Sequence, residues 1–264
     1  MPHSLRAVSL ALAMAAATPT AALANPANDF AGSHAPSRLK HQAAAAAAPT
    51  IRSSLIGPDV SNWNGCSINW LAVARVRAFA FSKATEGTNF TDRCFARHWR
   101  QLAFRGLPHA AYHFARPRLP ISSARAQARH YVAVVNAAGG FAGTLPPVLD
   151  VEVKSRGLSR SSMRAWIRAW IREVRAQTHR YRVTIYTGDW FWRPNVGSWA
   201  PRGTLLWASG YTSRVPRVAG FRRPSWWQYT DGIHGPRPHS TPGIGSADHS
   251  VWLDTASRLA RLKR

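Results

Sequence analysis

The sequence predicts an α/β fold, a β/α barrel in which not every strand is followed by a full helix. Three observations carry this reading. Eight short apolar segments recur at 56–60, 78–82, 110–114, 148–153, 183–187, 205–208, 226–229 and 250–253. Amphipathic stretches of helix length lie between the earlier ones, at 92–105, 122–138 and 161–178. About 214 residues follow position 50, enough for one well-buried domain of barrel size.

Taken in order, residues 1–24 have the form of a secretory signal peptide. His3 and Arg6 precede an apolar run too short to span a bilayer, and Ala22-Leu23-Ala24 supplies small residues for cleavage. Residues 25–50 are rich in Ala, Pro, Ser and His without apolar periodicity and read as a flexible linker. The domain then runs over 51–264. Its best helix start is Ser159 or Ser161, capping a stretch with Trp166, Ile167, Trp170, Ile171 and Val174 at helical spacing, which marks the two tryptophans as core. The later connections are short and rich in Pro and Gly. An export signal implies a periplasmic or extracellular site of action, where Cys66 and Cys94 are free to form a disulfide or to remain two buried thiols. No His or Cys spacing indicates a metal, and no cofactor is expected.

The chemistry concentrates at Pro146-Pro147-Val148-Leu149-Asp150-Val151-Glu152. Side chains two apart on a strand share a face, so Asp150 and Glu152 can reach one bond of a substrate. Like charges that close oppose joint ionisation, and one carboxylic acid beside one carboxylate is what glycosidic cleavage requires. Only 11 of the 264 residues are Asp or Glu, against 35 Lys and Arg, which makes a paired placement more telling. Glu152 has the longer reach and is the expected general acid; Asp150 is its partner. Barrel active sites gather at C-terminal strand ends. Asp59 and Asp248 lie near the ends of the first and last strands and would meet at the seam, where they complete the catalytic candidates. Trp63, Tyr112, His113, Tyr186, Trp207, Trp227 and Gln228, also at strand ends, are candidate substrate contacts, because sugar rings stack on aromatic faces. Lys83 and Glu86 are spaced to pair with each other.

Gly57-Pro58-Asp59-Val60-Ser61-Asn62-Trp63 and Phe81-Ser82-Lys83-Ala84-Thr85-Glu86-Gly87 resemble the opening and second strands of the glycoside hydrolase family 25 lysozymes. Gly106-Leu107-Pro108 with Ala111-Tyr112-His113-Phe114, the Asp150-Val151-Glu152 motif, Ile185-Tyr186-Thr187-Gly188, Leu206-Trp207-Ala208 and Trp227-Gln228-Tyr229-Thr230 follow in the family's order. Asn64, where many members carry Gln, and Asp248-His249-Ser250, in place of Asp-x-Asn, depart from it. The resemblance implies an irregular TIM-like barrel with eight strands and fewer than eight helices. It also implies cleavage of the β-1,4 bond between N-acetylmuramic acid and N-acetylglucosamine in peptidoglycan. Asp150 would then orient the substrate's own acetamido oxygen for attack; a direct covalent or inverting route is the second reading.

The formal charge of +24, or +23 once Arg6 leaves with the signal peptide (24 − 1), favours anionic cell-envelope polymers as partners beside peptidoglycan. The basic residues are scattered singly, which argues against a specific nucleic-acid site. A monomer is expected, with no transmembrane segment. The competing functional classes are a non-catalytic glycan- or envelope-binding barrel, disfavoured by the paired carboxylates, and a cationic envelope- or nucleic-acid-binding scaffold.

Overall fold

The computed structural model describes residues 31–37, 50–51 and 53–263. The proposed signal peptide and most of the proposed linker therefore lie outside the described residues. Eight strands form the barrel: β1 (Ile56–Val60), β2 (Ala80–Glu86), β3 (His109–Phe114), β4 (Val148–Asp150), β5 (Val183–Thr187), β6 (Thr204–Ser209), β7 (Trp226–Thr230) and β8 (Asp248–Trp252). Neighbours from β1 through β7 pair in parallel, whereas β8 runs antiparallel to both β7 and β1 and closes the ring. The irregular barrel is therefore confirmed, with its irregularity located in β8.

Six helices are described: α1 (Trp70–Val76), α2 (Phe95–Phe104), α3 (Ser122–Ala137), α4 (Arg160–Thr178), α5 (Asp189–Asn195) and α6 (Ala256–Ala260). The connection from β6 to β7 holds none. Helix α4 starts as its sequence dictates, the Ser159 hydroxyl accepting from the Ser162 amide. It buries Met163, Trp166, Ile167, Trp170, Ile171 and Val174 between the strands and α3. Both tryptophans are core, and Trp166 Nε1 donates to Ser123 Oγ at 3.0 Å.

Strand alternation divides the packing in two. Phe79, Phe81, Tyr112, Val148, Tyr186, Trp207 and Trp226 fill the barrel interior, while Leu149, Val151, Ile185, Leu206 and Ala208 face the helices. Gly57 is obligatory in this arrangement, because a Cβ there would overlap the Phe79 carbonyl on the adjoining segment.

Above β1 a short 3-10 turn, Asn62–Asn64, is tied to the start of α2 by two devices. Asp92 accepts from the Asn62 amide at 2.7 Å and from the Cys94 amide at 2.8 Å. Cys66 and Cys94 form a disulfide, their Cα atoms 4.8 Å apart across a sequence separation of 28. Closing a loop of that length removes about 3–4 kcal/mol of chain entropy from the unfolded state. Cys66→Ala should lower the unfolding free energy by about that amount in urea denaturation; an equal midpoint for variant and parent would show that the crosslink contributes nothing.

Candidate active site

The C-terminal ends of the parallel strands bring the carboxyls together. Asp150 shares its strand face with interior Val148, and Glu152 follows two residues on, just past the paired part of β4. The antiparallel course of β8 delivers Asp248 to the same mouth from a strand's first residue, in register opposite Asp59. All four side chains are buried.

One neutral side chain joins them. The Gln228 carboxamide, on the inner face of β7, donates through Nε2 to Asp59 (3.2 and 3.3 Å) and to Asp248 Oδ2 (3.1 Å). Its Oε1 accepts from the Tyr186 hydroxyl at 2.7 Å and the Tyr211 hydroxyl at 3.3 Å. Burial pushes the Asp59 carboxyl up to about 8; the Gln228 hydrogen bond opposes this shift and the Glu152 charge adds to it. Burial also pushes Asp150 well above the carboxylate range, reinforced by Glu152 and opposed by Lys83. Neither Asp150 oxygen has a hydrogen-bond partner among the described residues. Burial holds Tyr112, Tyr186 and Tyr211 in their phenol forms, so hydroxyls, not phenolates, line the mouth.

Beside this cluster, Glu86 takes an ion pair from Lys83 at 2.8 Å and another from Arg116 at 2.6 Å. The expected Lys83–Glu86 pair is thus present. Trp63, 63% exposed, stands on the 3-10 turn rooted through Asn62 and Asp92.

Three of the aromatic and histidine candidates lie elsewhere. His113 faces the helices: Nδ1 bonds Thr85 Oγ1 at 2.8 Å, Nε2 bonds Gln127 Oε1 at 3.1 Å, and the ring stacks on Trp170. Burial pulls it down to about 3, so it is a neutral structural histidine. Trp227, one residue off Gln228, also points outward, packing with Tyr229 and donating to the Gly210 carbonyl. Trp207 does point inward but is buried beneath the mouth against Phe81 and Tyr186, its Nε1 donating to Ser250 Oγ at 2.8 Å. Tyr211, which sequence reasoning missed, joins the site from just beyond β6; its only sequence signal is an aromatic after Gly210.

Residues 31–37 also reach the mouth, where the amides of Gly32 and His34 donate to Glu152 at 2.8 and 3.3 Å. A cavity of about 430 Å³ lined by Asn136, Phe141, Arg180 and Tyr181 opens at the opposite end of the barrel and carries no carboxyl. The acid chemistry therefore belongs to the mouth.

A β/α barrel with clustered buried carboxyls and tyrosine hydroxyls at its strand ends has the make-up of a glycoside hydrolase. Residues 58–236 match the model of Glycosyl hydrolases family 25. Lysozyme M1 of Streptomyces globisporus is 34% identical over 227 residues, which cover 81% of this chain and 73% of that protein. An N,O-diacetylmuramidase of Arthroderma benhamiae is 31% identical over 208 residues, covering 71% and 84%. The solved bacterial lysozyme from Streptomyces coelicolor superposes with a TM-score of 0.70 at 34% identity, over 80% of this chain and 98% of that one. The chain belongs to glycosyl hydrolase family 25 and is a glycoside hydrolase.

The carboxyl cluster gives stability a definite pH dependence. Asp59 keeps its proton in the folded protein up to about 8 but releases it near pH 4 when unfolded. Between those values the folded state binds more protons, so the Asp59 contribution is full below about pH 4 and is lost as pH rises through about 8. Asp59→Asn removes this dependence. The unfolding free energy of the variant relative to the parent should therefore climb from about pH 5 to about pH 8 in urea titrations; a flat difference would refute the proton assignment.

Proposed function

We propose that this chain is an exported N-acetylmuramidase that hydrolyses the β-1,4 bond between N-acetylmuramic acid and N-acetylglucosamine in peptidoglycan. Glu152 is the general acid, and Asp150 positions the substrate's acetamido group for attack on the anomeric carbon. The observation that carries this reading is Asp150 itself: a fully buried carboxyl whose two oxygens find no partner among the described residues. Such orphaned acceptors are rare unless a ligand satisfies them. An acetamido N–H supplies the missing donor. Donation to Asp150 favours its charged form and leaves the shared proton with Glu152, where the leaving oxygen needs it. Gln228 and Tyr186 hold Asp59 and Asp248 in place behind that pair. Trp63, exposed on the turn above β1, is the candidate aromatic contact for a sugar ring.

The names of the relatives, a lysozyme and an N,O-diacetylmuramidase, agree with this substrate. Among the described residues no helix is long and apolar enough to cross a membrane; the export reading rests on the form of residues 1–24 as a cleavable signal. The +24 charge favours initial attraction to anionic envelope polymers.

Glu152→Gln keeps shape and hydrogen-bonding capacity but removes the transferable proton, so the rate of reducing-end release from peptidoglycan should fall by about 10²–10⁴. More than about a tenth of the parent rate would exclude Glu152 as the acid. Asp150→Asn should be comparably damaging. Acetamido participation proceeds by two inversions, so the first product should be the β anomer in proton NMR; initial α product would eliminate this mechanism.

A further inference from the structure

The mouth of the barrel is a binding site for a peptide turn of this same chain. Ala31 is fully buried and Ala35 nearly so, although both lie well before the barrel in sequence. The turn is closed by the Ala35 amide donating to the Gly32 carbonyl at 3.0 Å. It engages the groups on which the proposed chemistry depends. Gly32 N donates to Glu152 Oε1 at 2.8 Å and His34 N to Glu152 Oε2 at 3.3 Å. Gln228 Nε2 donates to the Ala31 carbonyl at 3.1 Å, and the Tyr112 hydroxyl accepts from Ala31 N at 3.5 Å. The His34 ring sits 5.7 Å from that of Phe114.

Two features mark this as a fitted contact. The Ala31–Gly32 peptide bond is a secondary amide, the functional group of an acetamido arm, with its N–H on the candidate acid and its C=O on Gln228. Gly32 moreover has φ +91°, and a Cβ would overlap the Tyr211 hydroxyl and crowd Gln228 Oε1 and Tyr186 Oη. Only glycine seats there without displacing the residues that line the mouth.

We propose that residues Ala31–Ala35 are an internal inhibitor that caps the carboxyl of Glu152 at the barrel mouth, leaves Asp150 unfilled beside it, and blocks the enzyme in cis until substrate or a cut in the intervening chain displaces them. The acid cannot reach a glycosidic oxygen while both of its oxygens accept peptide amides. A tethered ligand competes at an effective concentration on the order of mM, so even a weak turn raises the glycan concentration required. Arg38 and Lys40, between the turn and the barrel, offer basic sites at which a protease could cut.

The inference rests on the muramidase reading for the nature of the competitor, and the test separates the two. In the full chain, Gly32→Val should unseat the turn without touching the barrel. A chito-oligosaccharide titrated by tryptophan fluorescence should bind the variant at least about tenfold more tightly than the parent. On a soluble muramyl glycan, KM should fall by a similar factor with kcat nearly unchanged. Amide hydrogen exchange should show Gly32 and His34 protected in the parent and the protection of His34 lost in the variant. Equal glycan affinity in the two proteins, or fast exchange at both amides in the parent, overturns the proposal. A tenfold affinity gain with no hydrolysis by either protein would uphold the internal inhibitor and sink the muramidase reading instead.

Discussion

Four buried carboxyls meeting at one barrel mouth are the constraint on which the rest of the site depends. Coulomb repulsion in a desolvated space forbids them all to ionise, so the site must hold protons or bring in cations. Of the 35 basic residues, Lys83 and Arg116 pair with Glu86 beside the cluster and act on Asp150 from there. A neutral amide, Gln228, stands between Asp59 and Asp248 instead. An arginine there would fix both acids as carboxylates. The amide organises them and leaves the proton free to move, which is what an acid catalyst needs.

The irregular closure follows from the same requirement. A parallel eighth strand would bring its C-terminal residue to the mouth, whereas antiparallel β8 brings its first, Asp248, opposite Asp59. The pairing also seats Ser250 beneath, where it accepts from Trp207 Nε1. Trp207 thereby serves as the floor that fixes Tyr186, whose hydroxyl in turn fixes Gln228. A packed aromatic interior and a polar mouth are thus one continuous arrangement, in which the tryptophans orient the groups above them.

Much of this was legible in the sequence, and the misses have a common physical cause. Strands 56–60 and 183–187 were read to the residue, and α4 nearly so, because caps and 3.6-residue spacing are local signals. The site carboxyls were legible because acids are scarce in this chain. The face each residue takes was not. Parallel barrel strands are buried on both sides, so apolar residues run on without alternation and give no parity. His113 and Trp227 fell on the wrong face for that reason: each is one residue out of phase with a true interior residue, Tyr112 or Gln228. The ends of strands failed similarly. The paired part of β4 stops at Asp150, and β2 runs on to Glu86, because ladder length is set by the neighbouring strand. The seat of Gly32 had no sequence signal at all, since it is a contact across 120 residues with Glu152.

The distribution of charge follows from where the acids sit. Asp59, Glu86, Asp92, Asp150, Glu152 and Asp248, six of the ten acids among the described residues, are buried. The described surface is left with four half-buried carboxylates, Glu173, Asp189, Asp231 and Asp254, among many arginines. An excess of scattered positive charge acts at long range on encounter, whereas at the mouth the Lys83 charge acts on Asp150 from its pair with Glu86. A neutral N–H donor suits that mouth better than any ion. The turn's amides meet that criterion at Glu152 while Asp150 beside it keeps both acceptors open.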